Sequence, residues 1–330
     1  MPALNGTLTD VAGLAVGHWT DLDAATGCTV VLCGAEGAVA GVDVRGSAPG
    51  TRETDLLDPV NAVQRIHAVV IGGGSAFGLD AACGVMRWLE AKGRGVEVGP
   101  VRVPLVCAAV LFDLPVGRAD VRPDAAAGAA ACEAASTAAV PEGSVGAGTG
   151  ATVGKLLGLE RATKSGLGSA SLALAGGVTV GALVAVNAAG DVVDPASGAV
   201  LAGPRLPGGG FARTAEWLRD HPPEVGIGAN TTLAVVATDA VLSKPEAAKV
   251  AQMAHDGLAR AVDPVHTMLD GDTVFALATG AAGVTADVSA VGSAAATALA
   301  QAVVRAVRAA TGLAGLPAAR DVPAAGGATS

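Results

Sequence analysis

Aromatic side chains are nearly absent from this chain, with four phenylalanines, three tryptophans and no tyrosine in 330 residues. Stacking platforms for bases or sugars are therefore not expected. Charge is also scarce, at 15% Asp, Glu, Lys and Arg against roughly a quarter in ordinary globular chains. What charge there is runs acidic, 30 Asp and Glu against 21 Lys and Arg for a net of −9, and that sign repels a phosphate backbone or an anionic bilayer. Neither a nucleic acid nor a membrane is expected as a partner. No run of 18 uninterrupted apolar residues occurs, so no membrane-spanning segment is expected. The first ten residues carry no basic stretch followed by an apolar one, the mark of a secretory signal. Cys28, Cys33, Cys83, Cys107 and Cys132 form an odd set without a CxxC spacing or a nearby histidine pair. Neither a zinc site nor a disulfide framework is expected, and free thiols in a cytoplasmic protein are.

What is abundant is small. The hydrophobic class reaches 51% and glycine alone supplies 47 residues, the composition of a densely packed globule. Short β-branched runs at 28–32, 68–71, 101–111, 181–186 and 233–237 read as buried strands. Ala-rich stretches at 78–92, 124–136, 211–219, 244–261 and 289–311 read as helices. They alternate without a steady strand–helix beat, which predicts a single layered α/β domain over 1–312 with partly antiparallel sheets. Proline and glycine density marks 195–210 and 221–224 as loops. The Pro/Ala/Gly tail 313–330 has little to bury and is expected to be disordered.

Three segments could carry chemistry. Gly72-Gly73-Gly74-Ser75-Ala76-Phe77-Gly78 runs from a strand into a helix, and such a turn could cradle a pyrophosphate with Glu97 on the ribose. Its spacing is Gly-x-Gly-x-x-x-Gly, so a close-packing turn is the favoured reading. Ala229-Asn230-Thr231-Thr232 delivers a threonine to a strand start. A threonine hydroxyl attacks poorly without an adjacent base, and its own α-amine becomes one if the chain is cut before Thr231. That amine ordinarily titrates at about 7.7 to 8, suited to proton transfer near neutrality. In the third segment Asp270 and Asp272 flank Gly271 before a strand; a two-residue period puts both carboxylates on one side, where they can share a proton. The other ligands of a calcium loop are missing.

Together these segments resemble the DmpA family of self-processing N-terminal-nucleophile hydrolases, from about residue 8 to 311. The landmarks are Val16-Gly17-His18, Gly27-Cys28-Thr29-Val30-Val31, Asp43-Val44-Arg45-Gly46-Ser47-Ala48-Pro49-Gly50-Thr51-Arg52-Glu53-Thr54, the turn at 72–78, and Ala147-Gly148-Thr149-Gly150 followed by Lys155. Asn230-Thr231-Thr232 with Asp270-Gly271-Asp272 is closest to the nylon-oligomer hydrolase pattern within that family. The resemblance implies an αββα sandwich like that of ornithine acetyltransferase, cut between Asn230 and Thr231 into an α fragment 1–230 and a β fragment 231–330. It further implies Thr231 as nucleophile, Asp272 and Asp270 as an acidic relay, Lys155 near the nucleophile, Asn187 as an oxyanion-side amide, and Gly73 and Phe112 on the substrate side. Phe112 departs from relatives that carry tyrosine there. The expected activity is hydrolysis of amides in short peptides, β-peptides or linear 6-aminohexanoate oligomers, with acyl transfer of the ornithine acetyltransferase type as the alternative. No cofactor and no metal are implied, and the assembly implied is a homotetramer of α/β pairs.

Overall fold

The computed structural model describes residues 4–221 and 230–324. Two large sheets organise it. The first holds β1 (Leu14–Asp21), β2 (Thr26–Cys33), β4 (Gly50–Arg52), β6 (Ala68–Gly72) and β7 (Val106–Val110), in the order β1-β2-β6-β7-β4. The second holds β3 (Ala38–Val44), β5 (Arg65–Ile66), β8 (Leu167–Ala173), β9 (Thr179–Asn187), β10 (Thr231–Thr238) and β11 (Thr273–Ala278), in the order β8-β9-β10-β11-β3-β5. Only β6 with β7 and β10 with β11 run parallel; every other neighbouring pair in the two sheets is antiparallel.

Alternation along each strand builds the layers. In β10, Leu233, Val235 and Ala237 join Val69, Ile71, Cys107 and Ala109 of the first sheet in the core between the sheets. Ala234 and Val236 point the other way, into a second core under α4 (Lys244–Ala261) and α5 (Val288–Ala309). On the far side, Val30, Val70 and Ala108 pack beneath α1 (Ala81–Ala91) and α2 (Ala125–Glu133), while the short α3 (Thr214–Asp220) follows the second sheet's β9 in the chain. The result is helix, sheet, sheet, helix, the αββα order that the family resemblance implied. Small residues let the helices approach closely: a Cβ at Gly257 of α4 would stand 2.2 Å from the Ala296 carbonyl of α5. Ser243 opens α4 with a capping box to Glu246 and Pro245 in the first turn, signals that are readable in the sequence. Helix α5 is long and apolar enough to cross a membrane, but two thirds of that stretch is buried inside the fold.

Three expectations need correction. The apolar run 101–111 is two elements, because Pro104 has no N–H to continue a ladder. Val101–Val103 pairs with Val96–Val98 in an exposed hairpin, while Val106–Val110 is buried in the first sheet. Inside the expected loop 195–210, Val200–Ala202 forms a strand against Asp191–Val193. The tail was expected to be disordered from residue 313, yet 313–324 is tied to the fold at its middle: the Pro317 carbonyl accepts from Lys164 N–H at 2.9 Å, and Leu316 and Ala318 are buried. Backbone pairing, which composition does not register, holds this segment. Residues 325–330 and the expected loop beyond His221 lie outside the described residues.

Candidate active site

Thr231 is the first residue of β10 and pairs with Asn187, the last residue of β9. By the alternation above, both side chains lie on the inter-sheet side, at the end of the sandwich where the loop after β7 approaches. Thr231 and Asn230 are buried. The Asn230 carbonyl accepts two donors, the Thr231 hydroxyl and the Gly271 N–H at 2.9 Å. A side chain at 271 has no room, since a Cβ there would lie 2.8 Å from Thr231 Oγ1 and 2.6 Å from the Ala48 carbonyl. The loop after β3 clamps this arrangement. Arg45 and Gly46 N–H groups donate to the Asp272 carbonyl at 3.1 and 3.2 Å, and Ala48 N–H donates to the Asp270 carbonyl at 2.9 Å. Gly46 presses so closely that a Cβ would sit 2.1 Å from Asp272 N.

Both carboxylates are buried. Asp272 Oδ1 accepts from Thr232 N–H at 2.6 Å, and its Oδ2 faces His266 Nδ1 at 2.7 Å and His266 N–H at 3.2 Å. Asp270 accepts from Ala189 N–H at 3.1 Å and from the Thr267 N–H and hydroxyl at 3.0 and 2.5 Å. Burial, and after it the neighbouring Asp272, pushes the Asp270 carboxyl above the ordinary carboxylate range. The two carboxylates expected behind Thr231 thus lie close to it, Asp272 against the Thr232 N–H and Asp270 against Ala189 and Thr267. Among the described residues the Thr231 hydroxyl bonds only the Asn230 carbonyl; Asp272 reaches the backbone one residue on.

Lys155 Nζ is enclosed by three acceptors, the Thr152 and Asn187 carbonyls at 2.9 and 3.0 Å and Asn187 Oδ1 at 2.7 Å. Burial pulls its ammonium down to about 7, with Asp270 and then Asp113 opposing. The Asn187 amide nitrogen donates to the Phe112 carbonyl at 3.1 Å, so Lys155, Asn187 and Phe112 form one chain of contacts with Asn187, the strand partner of Thr231, at its middle. Gly73 lies beyond the Phe112 end, against Asp113. A Cβ there would meet Asp113 Oδ2 at 1.9 Å and Thr26 Oγ1 at 2.6 Å, and Asp113 Oδ1 accepts from Gly74 N–H at 2.7 Å. The glycine turn is therefore a packing device around buried Asp113. Glu97 lies on the exposed hairpin, paired with Arg102, and a nucleotide reading gains no support from it.

Four participants escaped the sequence reading. Gly271 supplies a backbone N–H, which leaves no side-chain signature. His266 opens the very segment that holds both aspartates, and its partner His255 lies on α4. Asp113 follows Phe112 directly and ties the glycine turn to it.

The sequence profile of Peptidase family S58 matches residues 6–321. An uncharacterized aminopeptidase of Mycobacterium bovis is 48% identical over 301 residues, covering 84% of this chain and 83% of the relative. A 6-aminohexanoate-oligomer endohydrolase of Kocuria sp. (strain KY2) is 33% identical over 282 residues, covering 82% and 74% respectively. The solved L-aminopeptidase D-Ala-esterase/amidase of Ochrobactrum anthropi, described as a variant of the Ntn hydrolase fold, superposes with a TM-score of 0.69 at 21% identity. It covers 94% of this chain and 88% of its own.

Proposed function

Because the chain belongs to peptidase family S58, the DmpA family, and is thus a hydrolase of amide bonds, we propose that it matures by cutting itself between Asn230 and Thr231. The released Thr231 then serves as the catalytic nucleophile. The observation that supports this most directly is the Asn230 carbonyl, held by the Gly271 N–H with the Thr231 hydroxyl against it. Attack of Thr231 Oγ on the Asn230 carbonyl carbon moves the acyl group from nitrogen to oxygen. Water then cleaves the ester, leaving a carboxylate on Asn230 and a free amine on Thr231. The Gly271 N–H would steady the oxyanion of that step, and of the same step on a substrate amide occupying the vacated position. Such a donor is commonly worth about 3 to 4 kcal/mol in the transition state. Asn187 supports the site from the neighbouring strand, and the Asp270–Asp272 pair and Lys155 are the titratable groups that take up and return the proton.

In turnover, the amine of Thr231 accepts the hydroxyl proton and passes it to the substrate nitrogen, whose bond to the acyl carbon breaks as the acyl-enzyme forms and the amine product leaves; water then cleaves the ester and releases the acid. Substrates are amides of short peptides, β-peptides or linear 6-aminohexanoate oligomers, with Phe112 and the turn at Gly73 bordering the substrate side. The enzyme works in the cytoplasm, a reading supported by five free thiols, and assembles as a homotetramer of α/β pairs. Exposed Val96, Val98 and Val101 on one hairpin offer apolar surface to cover. Purified protein run under denaturing conditions should give two fragments, the smaller starting Thr-Thr-Leu, and light scattering of the same sample should give the tetramer mass. A fully active, uncut 330-residue chain would rule out the processing step, and a monomer mass at assay concentration would rule out the assembly.

A further inference from the structure

Behind Asp272 lies a row of imidazoles whose hydrogen positions can be deduced. His255 is buried in α4, and its Nε2 stands 2.9 Å from the Asp43 carbonyl oxygen. A carbonyl can only accept, so that nitrogen carries the hydrogen. Burial, and to a lesser degree the neighbouring His266, pulls His255 down to about 4, so near neutral pH it holds a single ring hydrogen and its Nδ1 is bare. Bare Nδ1 faces His266 Nε2 at 3.2 Å, which must therefore donate. With its Nε2 hydrogen fixed, a neutral His266 presents a lone pair to Asp272 Oδ2 at 2.7 Å, where a carboxylate would present another. Two acceptors at that distance require a proton between them.

We propose that His266 is a positioning residue that shares one proton with Asp272, so that the pair is neutral as a whole and does not hold the freed Thr231 amine in its unreactive ammonium form. The inference rests on the reading of Thr231 as nucleophile. Asp272 Oδ1 already touches the N–H of Thr232, one residue from that amine, and a bare carboxylate there would favour an ammonium and raise its pKa. An N-terminal nucleophile acts through the neutral amine. The other charged groups facing the row are Asp43, whose carboxylate lies 3.7 Å from His255 Nε2, Arg45 behind His255, and Asp270 with Lys155 beyond it. None of them makes a hydrogen bond to the His266 ring. The backbone at His266 has a φ of +56°, a conformation uncommon outside glycine, and that turn aims both its N–H and its ring at Asp272.

The test compares rate against pH for wild type and His266→Asn. Asparagine places an amide near the Nδ1 position and can bond Asp272, but it cannot carry the shared proton. The acid limb of kcat/KM should rise by about one pH unit, with KM nearly unchanged and activity recovered at alkaline pH. A uniformly lower rate with an unmoved limb would mean that His266 only packs, and would overturn the proposal. Should His266→Asn fail to mature, His255→Gln keeps a donor to the Asp43 carbonyl and removes the Nδ1 acceptor. That frees His266 to adopt the other tautomer and should move the limb the same way. A separate readout is proton NMR of the full-length Thr231→Ala chain. A far-downfield ring proton should be present from about pH 6 to about pH 8 and lost in His266→Asn and Asp272→Asn. Its absence overturns the shared proton even if Thr231 is the nucleophile; its presence in a Thr231→Ala chain that still hydrolyses amides would sink the nucleophile reading alone.

Discussion

Thr231→Ala should leave a single 330-residue chain that turns over amides at least about four orders of magnitude more slowly than wild type. Alanine removes one buried methyl and a hydroxyl that bonds only its own preceding carbonyl among the described residues. The Gly271 donor to Asn230 stays in place, and strand pairing with Asn187 runs through the backbone. Thermal stability should accordingly change by no more than about 2 kcal/mol, one ordinary hydrogen bond plus one buried methyl. Thr231→Ser restores an attacking oxygen without the methyl that limits χ1. It should process and turn over with a loss of up to about a hundredfold, the cost of a loosely placed nucleophile. Electrophoresis and an amide assay on the three proteins decide the matter. An alanine variant that still hydrolyses amides at a comparable rate would put the nucleophile elsewhere.

The contrast between what the sequence announces and what it hides follows from which atoms do the work. Strand β10 is legible because Leu233 to Ala237 is apolar and bounded by polar residues, and α4 is legible from Ser243, Pro245 and Glu246 at its start. Asp270 and Asp272 stand out because two acids around a glycine before a strand have few structural uses. Gly271 reads only as their spacer, yet it has both the N–H that meets the Asn230 carbonyl and the missing side chain that lets Thr231 Oγ1 stand there. His255 and His266 come together only when α4 crosses the loop before β11, an arrangement no local pattern encodes. Asp113 is similarly hidden: its burial among Gly74, Thr26 and Gly73 depends on β2, β6 and β7 being neighbours in one sheet.

The same geometry sets the order and the sign of effects at the two aspartates. Asp272 touches the backbone next to Thr231, whereas Asp270 stands one layer back, on Ala189 and Thr267. Asp272→Asn should therefore cost more activity than Asp270→Asn, about a hundredfold to ten-thousandfold as for loss of an acid–base group. The double variant should lose about as much as Asp272→Asn alone, because groups in one network do not contribute additively. The direction of the pH shift follows from charge. Asp270 titrates above its ordinary value because it is buried and, after that, because Asp272 stands beside it, and a carboxylate charge likewise holds the proton of a nearby amine more tightly. Removing the Asp270 charge lowers the pKa of whichever group must be unprotonated, so the acid limb in Asp270→Asn should move to lower pH. Removing the proton store at His266 should move it to higher pH. Opposite shifts from two neighbours of one carboxylate are what a coupled proton network produces; a pair of structural aspartates in a surface turn would move neither limb. Rate against pH for wild type, both single variants and the double variant reads all of this at once. Near-wild-type turnover in the double variant would leave Thr231 to act with its own amine and Lys155, without either carboxylate.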